Sequence, residues 1–307
     1  MKKSILALVA VCVVAGAVVA AQQGQRRAPD PRSMGGGDCR DNPYNCADTP
    51  NPLPKNDTVW LEEMTWMDVR DAMKAGKTTA IIATGGIEPN GPWLALGKHN
   101  YVLHANCESI ARKMGNAICA PIVKYVPEGD IEPRTGHMLT PGTMTMREDT
   151  FRAVLTDAAA SLKANGFKTI IFIGDSGGNQ EGQKAVAEKL TAQWGGSALA
   201  LHIPEYYTYA EVHKWMEGQG MMPANRKTDG LHDDPGIALN MFADDPKSIR
   251  YDERVKAGKA TIDGVSIADR AKATEMAKKI VAFRTDYTIA AINKALASKG
   301  KATMAPQ

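Results

Sequence analysis

Residues Thr79–Tyr101 read TAIIATGGIEPNGPWLALGKHNY, and the order of residue types in this stretch decides the fold. Ala80 to Ala83 is a short apolar run ended by Gly85 and Gly86, the pattern of a buried strand. Glu88, Asn90 and His99 follow on a segment punctuated by Pro89, Gly91, Pro92 and Gly97, and a helix pattern begins near Tyr101. In an open α/β sheet, ligands bind in the loops that leave the carboxyl ends of strands. A carboxylate, an amide and an imidazole in such a loop are therefore candidate site residues.

The same alternation continues along the chain. Tyr101–Met114 reads as an amphipathic helix stopped by Gly115, and Ala117–Ile122 as a second strand. A long loop, Pro127 to Thr143, carries His137. A helix over Arg147–Asn165 precedes Lys168–Ile173 (KTIIFI), the clearest strand pattern. Gly174–Asn179 turns into a helix over Gln183–Trp194, and Ala198–Ile203 is a fourth strand. Trp60–Ala75 and about Ser266–Ala297 have helical spacing. Strands separated by helices of this length predict an α/β fold with a mostly parallel, helix-covered sheet. Right-handed crossovers then place the four carboxyl ends on one edge, gathering Glu88, His99, the 129–143 loop, Asp175 and Ser176.

Composition sets the bounds. The 307 residues are 44% hydrophobic and 23% charged, enough for a large globular core. The first 21 residues have a basic start (Lys2, Lys3), an apolar run from Ile5 to Ala20 and a small-residue exit, which predicts a cleaved secretory signal and a periplasmic or secreted protein. Without that segment 35 basic residues stand against 34 acidic ones, and no basic block argues for nucleic acid or, after cleavage, for a membrane. Residues 22–57 are rich in Gly, Pro, Asp and Asn and read as a linker or weakly ordered arm; the globular domain is expected over 58–300, with a tail at 301–307. Export permits disulfides. Cys39 and Cys46 are expected to pair, and Cys107 and Cys119 to be buried free thiols.

Three clusters carry chemistry. Gly174-Asp175-Ser176-Gly177-Gly178 fits a nucleophile elbow, and Ser176 with His232 and Asp229 would make a serine hydrolase. Asp229, His232, Asp233 and Asp234 form an acidic loop with one imidazole; Asp234 before Pro235 also has the sequence of a helix N-cap. His137 sits in a loop at the binding edge, where packing rarely needs a histidine.

Together these positions resemble the creatininase (creatinine amidohydrolase) family. Its motif G-x-x-E-x-H-G-P-H-L-P-x-G-x-D is matched by Gly85 through His99, H-x-x-x-P-G-T by His137, Pro141, Gly142 and Thr143, N-G-H-G-G-N by Gly174 to Asn179, and H-A-G-E-x-E-T-S by His232 to Leu239. The resemblance implies a three-layer α/β/α fold, a homo-oligomer (hexamers in the family), a small-molecule substrate and a metal-dependent amidohydrolase with two zinc or manganese ions. Glu88 keeps the motif's glutamate. Asn90, Trp93 and Ser176 stand where the motifs have histidines, His99 where they have an aspartate, and Pro235 and Ile237 where they have glutamates. Asn and Ser are poor ligands for these ions. The expectation is a rebuilt site for one metal, with Glu88, His99, Asp175 and His232 as ligands, and His137 and Asp233 acting in catalysis. Asn90, Trp93, Ser176 and Asn179 are expected to contact substrate. A non-catalytic relative that binds a ligand in the same cleft is the other reading.

Overall fold

Strand β1 (Thr79–Thr84) is buried on both faces along its whole length, as the central strand of a parallel sheet must be. The computed structural model describes residues 28–226 and 232–302; the expected signal segment, Asp229 and residues 303–307 lie outside the described residues. The chain divides into two compact units, one ending at Pro54 and one beginning at Lys55.

In the first unit, residues 28–54 fold around the expected Cys39–Cys46 disulfide. Asn42 caps a 3-10 turn over Pro43–Asn45 by accepting from the Tyr44 N–H, and Ser33 bridges to Cys46. The stretch expected as a linker thus holds a short cross-linked fold with Cys39 and Cys46 buried.

The second unit is built on a four-stranded parallel sheet of order β2-β1-β3-β4, with β2 at Ala117–Cys119, β3 at Thr169–Gly174 and β4 at Leu199–His202. Register runs Ile81 opposite Ile171 and Thr84 opposite Gly174. Side chains alternate between faces. Ile81, Ala83, Ile171 and Ile173 pack on α2 (Lys98–Met114) and α8 (Arg270–Ala302). Ala80, Ile82, Ile170 and Phe172 pack on α3 (Glu148–Ala164) and α4 (Gln180–Trp194), with α1 (Trp66–Lys74) at the margin. The result is the three-layer α/β/α arrangement. Each fully buried isoleucine contributes roughly 1.5–3 kcal/mol. A third, helical core joins α5 (Tyr209–Gly218), α6 (Pro235–Asp244), α7 (Tyr251–Lys256) and the start of α8; its most buried element, α6, is buried from Pro235 to Phe242. A two-stranded ribbon, β5 (Thr261–Ile262) and β6 (Val265–Ser266), completes it.

Two details correct the sequence reading. Helix α2 begins at Lys98, three residues before Tyr101, so Lys98 and His99 occupy its first turn. Cys107 and Cys119 are not free thiols: α2 packs against β2, their Cα atoms lie 6.2 Å apart, and they are disulfide-bonded. Among the described residues no helix is long and apolar enough to cross a membrane.

The sheet order places a topological switch point between β1 and β3, since the chain leaves them toward opposite edges. The loops after these two strands carry Glu88 and Asp175.

Candidate metal centre and its cleft

Glu88 is the centre of the site. It follows β1 and is 2% exposed. Its Oε1 lies 2.6 Å from Lys98 Nζ, 3.1 Å from His99 Nε2 and 3.4 Å from His232 Nδ1, and its Oε2 lies 3.1 Å from His137 Nε2. Burial would raise its pKa, but the adjacent His99 imidazole and Lys98 ammonium outweigh it and hold the carboxyl well below its usual range.

Glu128 faces Glu88 from the loop after β2. It is buried, and burial followed by repulsion from the Glu88 charge pushes its pKa up to about 9. Gly86 makes room for it: a Cβ there would stand 2.3 Å from Glu128 Oε1 and 3.1 Å from the His99 ring. His137 enters from the same loop on a 3-10 turn, Gly136–Leu139.

Behind His99 stands Asp175, fully buried at the end of β3. Its Oδ2 is 2.9 Å from His99 Nδ1 and accepts from the Tyr209 hydroxyl at 2.7 Å, while Oδ1 accepts from the Arg284 guanidinium at 2.9 Å. Burial opposes the charge on Asp175; Arg284 and His99 outweigh burial and lower its pKa. Arg284 also donates to the Tyr206 carbonyl, and the rings of Tyr206 and Tyr209 cover it at 4.5 and 4.9 Å. For His99, burial alone would lower the pKa, and the Asp175 carboxylate bonded to Nδ1 and the Glu88 carboxylate beside Nε2 reverse this and raise it.

These groups open into a cleft of about 650 Å³ lined by Glu88, Lys98, His99, Glu128, His137 and His232. A second polar group, His213, Arg226 and Asp234, also lines it. Asp234 accepts from His213 Nε2 and Arg226, both at 2.8 Å, and also caps α6 by accepting from the Ile237 N–H. Ser176, Gly177, Gly178, Tyr207 and Tyr209 form one side.

A divalent ion is compatible with this donor set. Glu88, Glu128 and His137 each offer a ligand atom, all within 4.8 Å of one another. Glu128 Oε1 and His99 Nε2 are buried without a hydrogen-bond partner; the latter is close to Glu88 but out of line for a bond. Orphaned buried polar atoms are costly, and an ion held by Glu88, Glu128 and His137 would satisfy Glu128 Oε1. Carboxylate and imidazole donors suit zinc and manganese.

The structure thus brings Glu88, His99, His137 and His232 into one cleft, with Ser176 at its side. It places other expected residues elsewhere. Both oxygens of Asp175 are occupied, so it supports His99 from behind and leaves no oxygen directed into the cleft. Asp233 pairs bidentately with Arg254 at 2.9 and 3.1 Å, turned away from the cleft. Trp93 lies 5.8 Å from the same guanidinium. Asn90 donates to the Glu88 and Ala95 carbonyls, and Asn179 to Thr84 and Gly85; neither lines the cleft. Among the described residues Ser176 Oγ makes no hydrogen bond to an imidazole, so no triad is assembled. Sequence reading missed Lys98 and Glu128. The signal for Glu128 was its position beside Gly129 at the mouth of the loop that carries His137.

The family profile described as creatininase, creatinine amidohydrolase, matches residues 62–305. Several solved structures share the fold. A crystal structure of creatinine amidohydrolase is 16% identical, with a TM-score of 0.52 over 80% of this chain and 98% of that one. A mutant creatininase described as Zn-Zn type is 17% identical, with a TM-score of 0.53 over 80% and 99%. A manganese creatininase is 16% identical, with a TM-score of 0.51 over 79% and 99%. A search of curated protein sequences finds no match. With most of its length matched by the family profile and its sheet, layers and switch point in that fold, the chain belongs to the creatininase family.

Proposed function

We propose that the protein is an exported, metal-dependent amidohydrolase that cleaves a C–N amide bond of a small molecule. The observation that carries this reading is the convergence of two buried carboxyls, Glu88 and Glu128, and the His137 imidazole on one point in the cleft. A zinc or manganese ion held there supplies Lewis acidity toward a carbonyl oxygen and toward water. The protein's own groups do the rest. Glu88 and Glu128 supply the negative charge that holds a cation, and Glu128 gives up its proton as a cation arrives. His232 stands at the mouth with its pKa lowered by burial and by nearby Lys98, so its neutral ring is available to take a proton. The polar group of His213, Arg226 and Asp234 in the cleft lining suits a small substrate rich in amide or amidine groups.

Two disulfides in the described residues support an oxidising compartment. Exposed Ile131, Leu139 and Met144, on the loop that carries Glu128 and His137, support assembly as a homo-oligomer.

The test is to strip the mature protein with a chelator, reload it with zinc or manganese, and assay hydrolysis of a panel of cyclic and linear amides. Turnover that disappears on stripping and returns on reloading is expected. Full turnover by metal-free protein, or unchanged turnover in Glu88→Gln, would overturn the reading.

A further inference from the structure

The two oxygens of Glu88 face different surroundings. Oε2 faces His137, which with Glu128 and Glu88 makes up the three-donor cluster. Oε1 faces Lys98, His99 and His232. A carboxylate with donors gathered separately around each oxygen has the geometry of a bridge between two cations. One of those positions already holds a cation that belongs to the chain. Lys98 Nζ lies 2.6 Å from Oε1, and both side chains are 3% exposed.

Helix preference does not explain this lysine. It is the first residue of α2, where the positive end of the helix dipole disfavours a cation. The helix cap is Gly97, which supplies no side-chain acceptor. A buried ammonium is tolerated only when paired, and Glu88 is the carboxylate it meets. Around the same oxygen, His99 Nε2 is a buried nitrogen without a hydrogen-bond partner.

We infer that the Lys98 ammonium is a built-in replacement for one of two cations, so that the centre takes a single divalent ion on the Glu88 Oε2, Glu128 and His137 side. This rests on the metal-dependent reading proposed above and specifies its ligands: the one-metal site expected from the sequence on Glu88, His99, Asp175 and His232 moves to Glu88, Glu128 and His137, and Lys98 stands for the second of the two ions that the resemblance implies. Removing the ammonium frees Glu88 Oε1, His99 Nε2 and His232 Nδ1, three donors of the kind that bind zinc.

The experiment counts ions. Metal-stripped full-length mature protein is equilibrated with excess zinc, desalted and measured by elemental analysis against protein concentration. One zinc per wild-type chain is expected, two in Lys98→Met, which keeps the length of the side chain without its charge, and one in Lys98→Arg. Circular dichroism melts establish that each variant is folded. Two ions in the wild type would overturn the inference and leave the metal-dependent reading standing, as would a folded Lys98→Met that stays at one. No zinc in the wild type would overturn the metal-dependent reading itself. Should Lys98→Met not fold, the wild-type count of one or two decides alone.

Discussion

His99 and Asp175 meet across the switch point of the sheet, Nδ1 to Oδ2 at 2.9 Å, one from the first turn of α2 and the other from the end of β3. A carboxylate behind an imidazole fixes the ring's orientation and directs its other nitrogen toward the site. Here that carboxylate is itself held by the Arg284 guanidinium on α8.

Breaking that support is expected to be severe. Asp175→Ala leaves Arg284, 1% exposed, without its carboxylate. Loss of one partner of a buried pair costs about 3–5 kcal/mol. Chemical denaturation measures it, and a loss below about 1 kcal/mol, the size typical of an exposed pair, would show that water reaches the site.

Glu128→Gln separates metal binding from folding. Without metal, Glu128 is protonated at neutral pH, and the neutral amide resembles it in shape and charge. Because the folded pKa is raised, the wild-type carboxyl loses stability as pH rises from about 4.5 toward about 9. Metal-free Glu128→Gln should therefore match the wild type near pH 4 and become relatively more stable as pH rises through that window. Zinc affinity should fall at least tenfold, about 1.4 kcal/mol. Unchanged zinc affinity by competition with a chromophoric chelator would remove Glu128 from the ligand set.

A second titration lies outside the cleft. His104 on α2 stacks on Trp60 at 4.7 Å and meets Asp244 through Nδ1. The Asp244 hydrogen bond outweighs partial burial and raises its pKa, with Glu108 and Glu63 adding smaller contributions. A raised folded pKa means stability present below about pH 6.5 and lost as pH rises through the folded value. The stability difference between wild type and His104→Gln should thus shrink from pH 6 upward. A difference that is flat from pH 5 to pH 9 would sink the assignment.

The Cys107–Cys119 bridge ties α2 to β2 across 12 residues of sequence. Closing a loop of about this size stabilises by about 3 kcal/mol in the chain-entropy account. Replacing both cysteines with alanine should lower the unfolding free energy by about 2–3 kcal/mol, and non-reducing peptide mapping of wild type should return the cross-linked pair. Free thiols at both positions in the purified protein would contradict the bridge.

The sheet and its helices were legible because parallel strands buried on both faces read as plain apolar runs, as in Ala80–Ala83 and Lys168–Ile173. Glu88, His99 and His137 were legible because glycines and prolines mark their loops. Lys98 was hidden by its own placement: a basic residue argues against a helix start, so the start was read three residues late. The Cys107–Cys119 bridge depends on how α2 lies against β2, and no local pattern encodes that. Asp233 looked like a site residue because nothing near it in sequence announces Arg254, 21 positions later.

The contact between Arg284 and Asp175 has a consequence for how the protein is made. Every candidate metal ligand in the cleft is specified before residue 233, yet the counter-charge of Asp175 is carried by α8. During synthesis the cleft's residues leave the ribosome well before Arg284 does. Until α8 docks, Asp175 has no guanidinium partner, and burying it behind His99 is unfavourable. The ion-binding centre is therefore finished by the final segment of the chain, and a product truncated before α8 should carry all the donors and hold no metal.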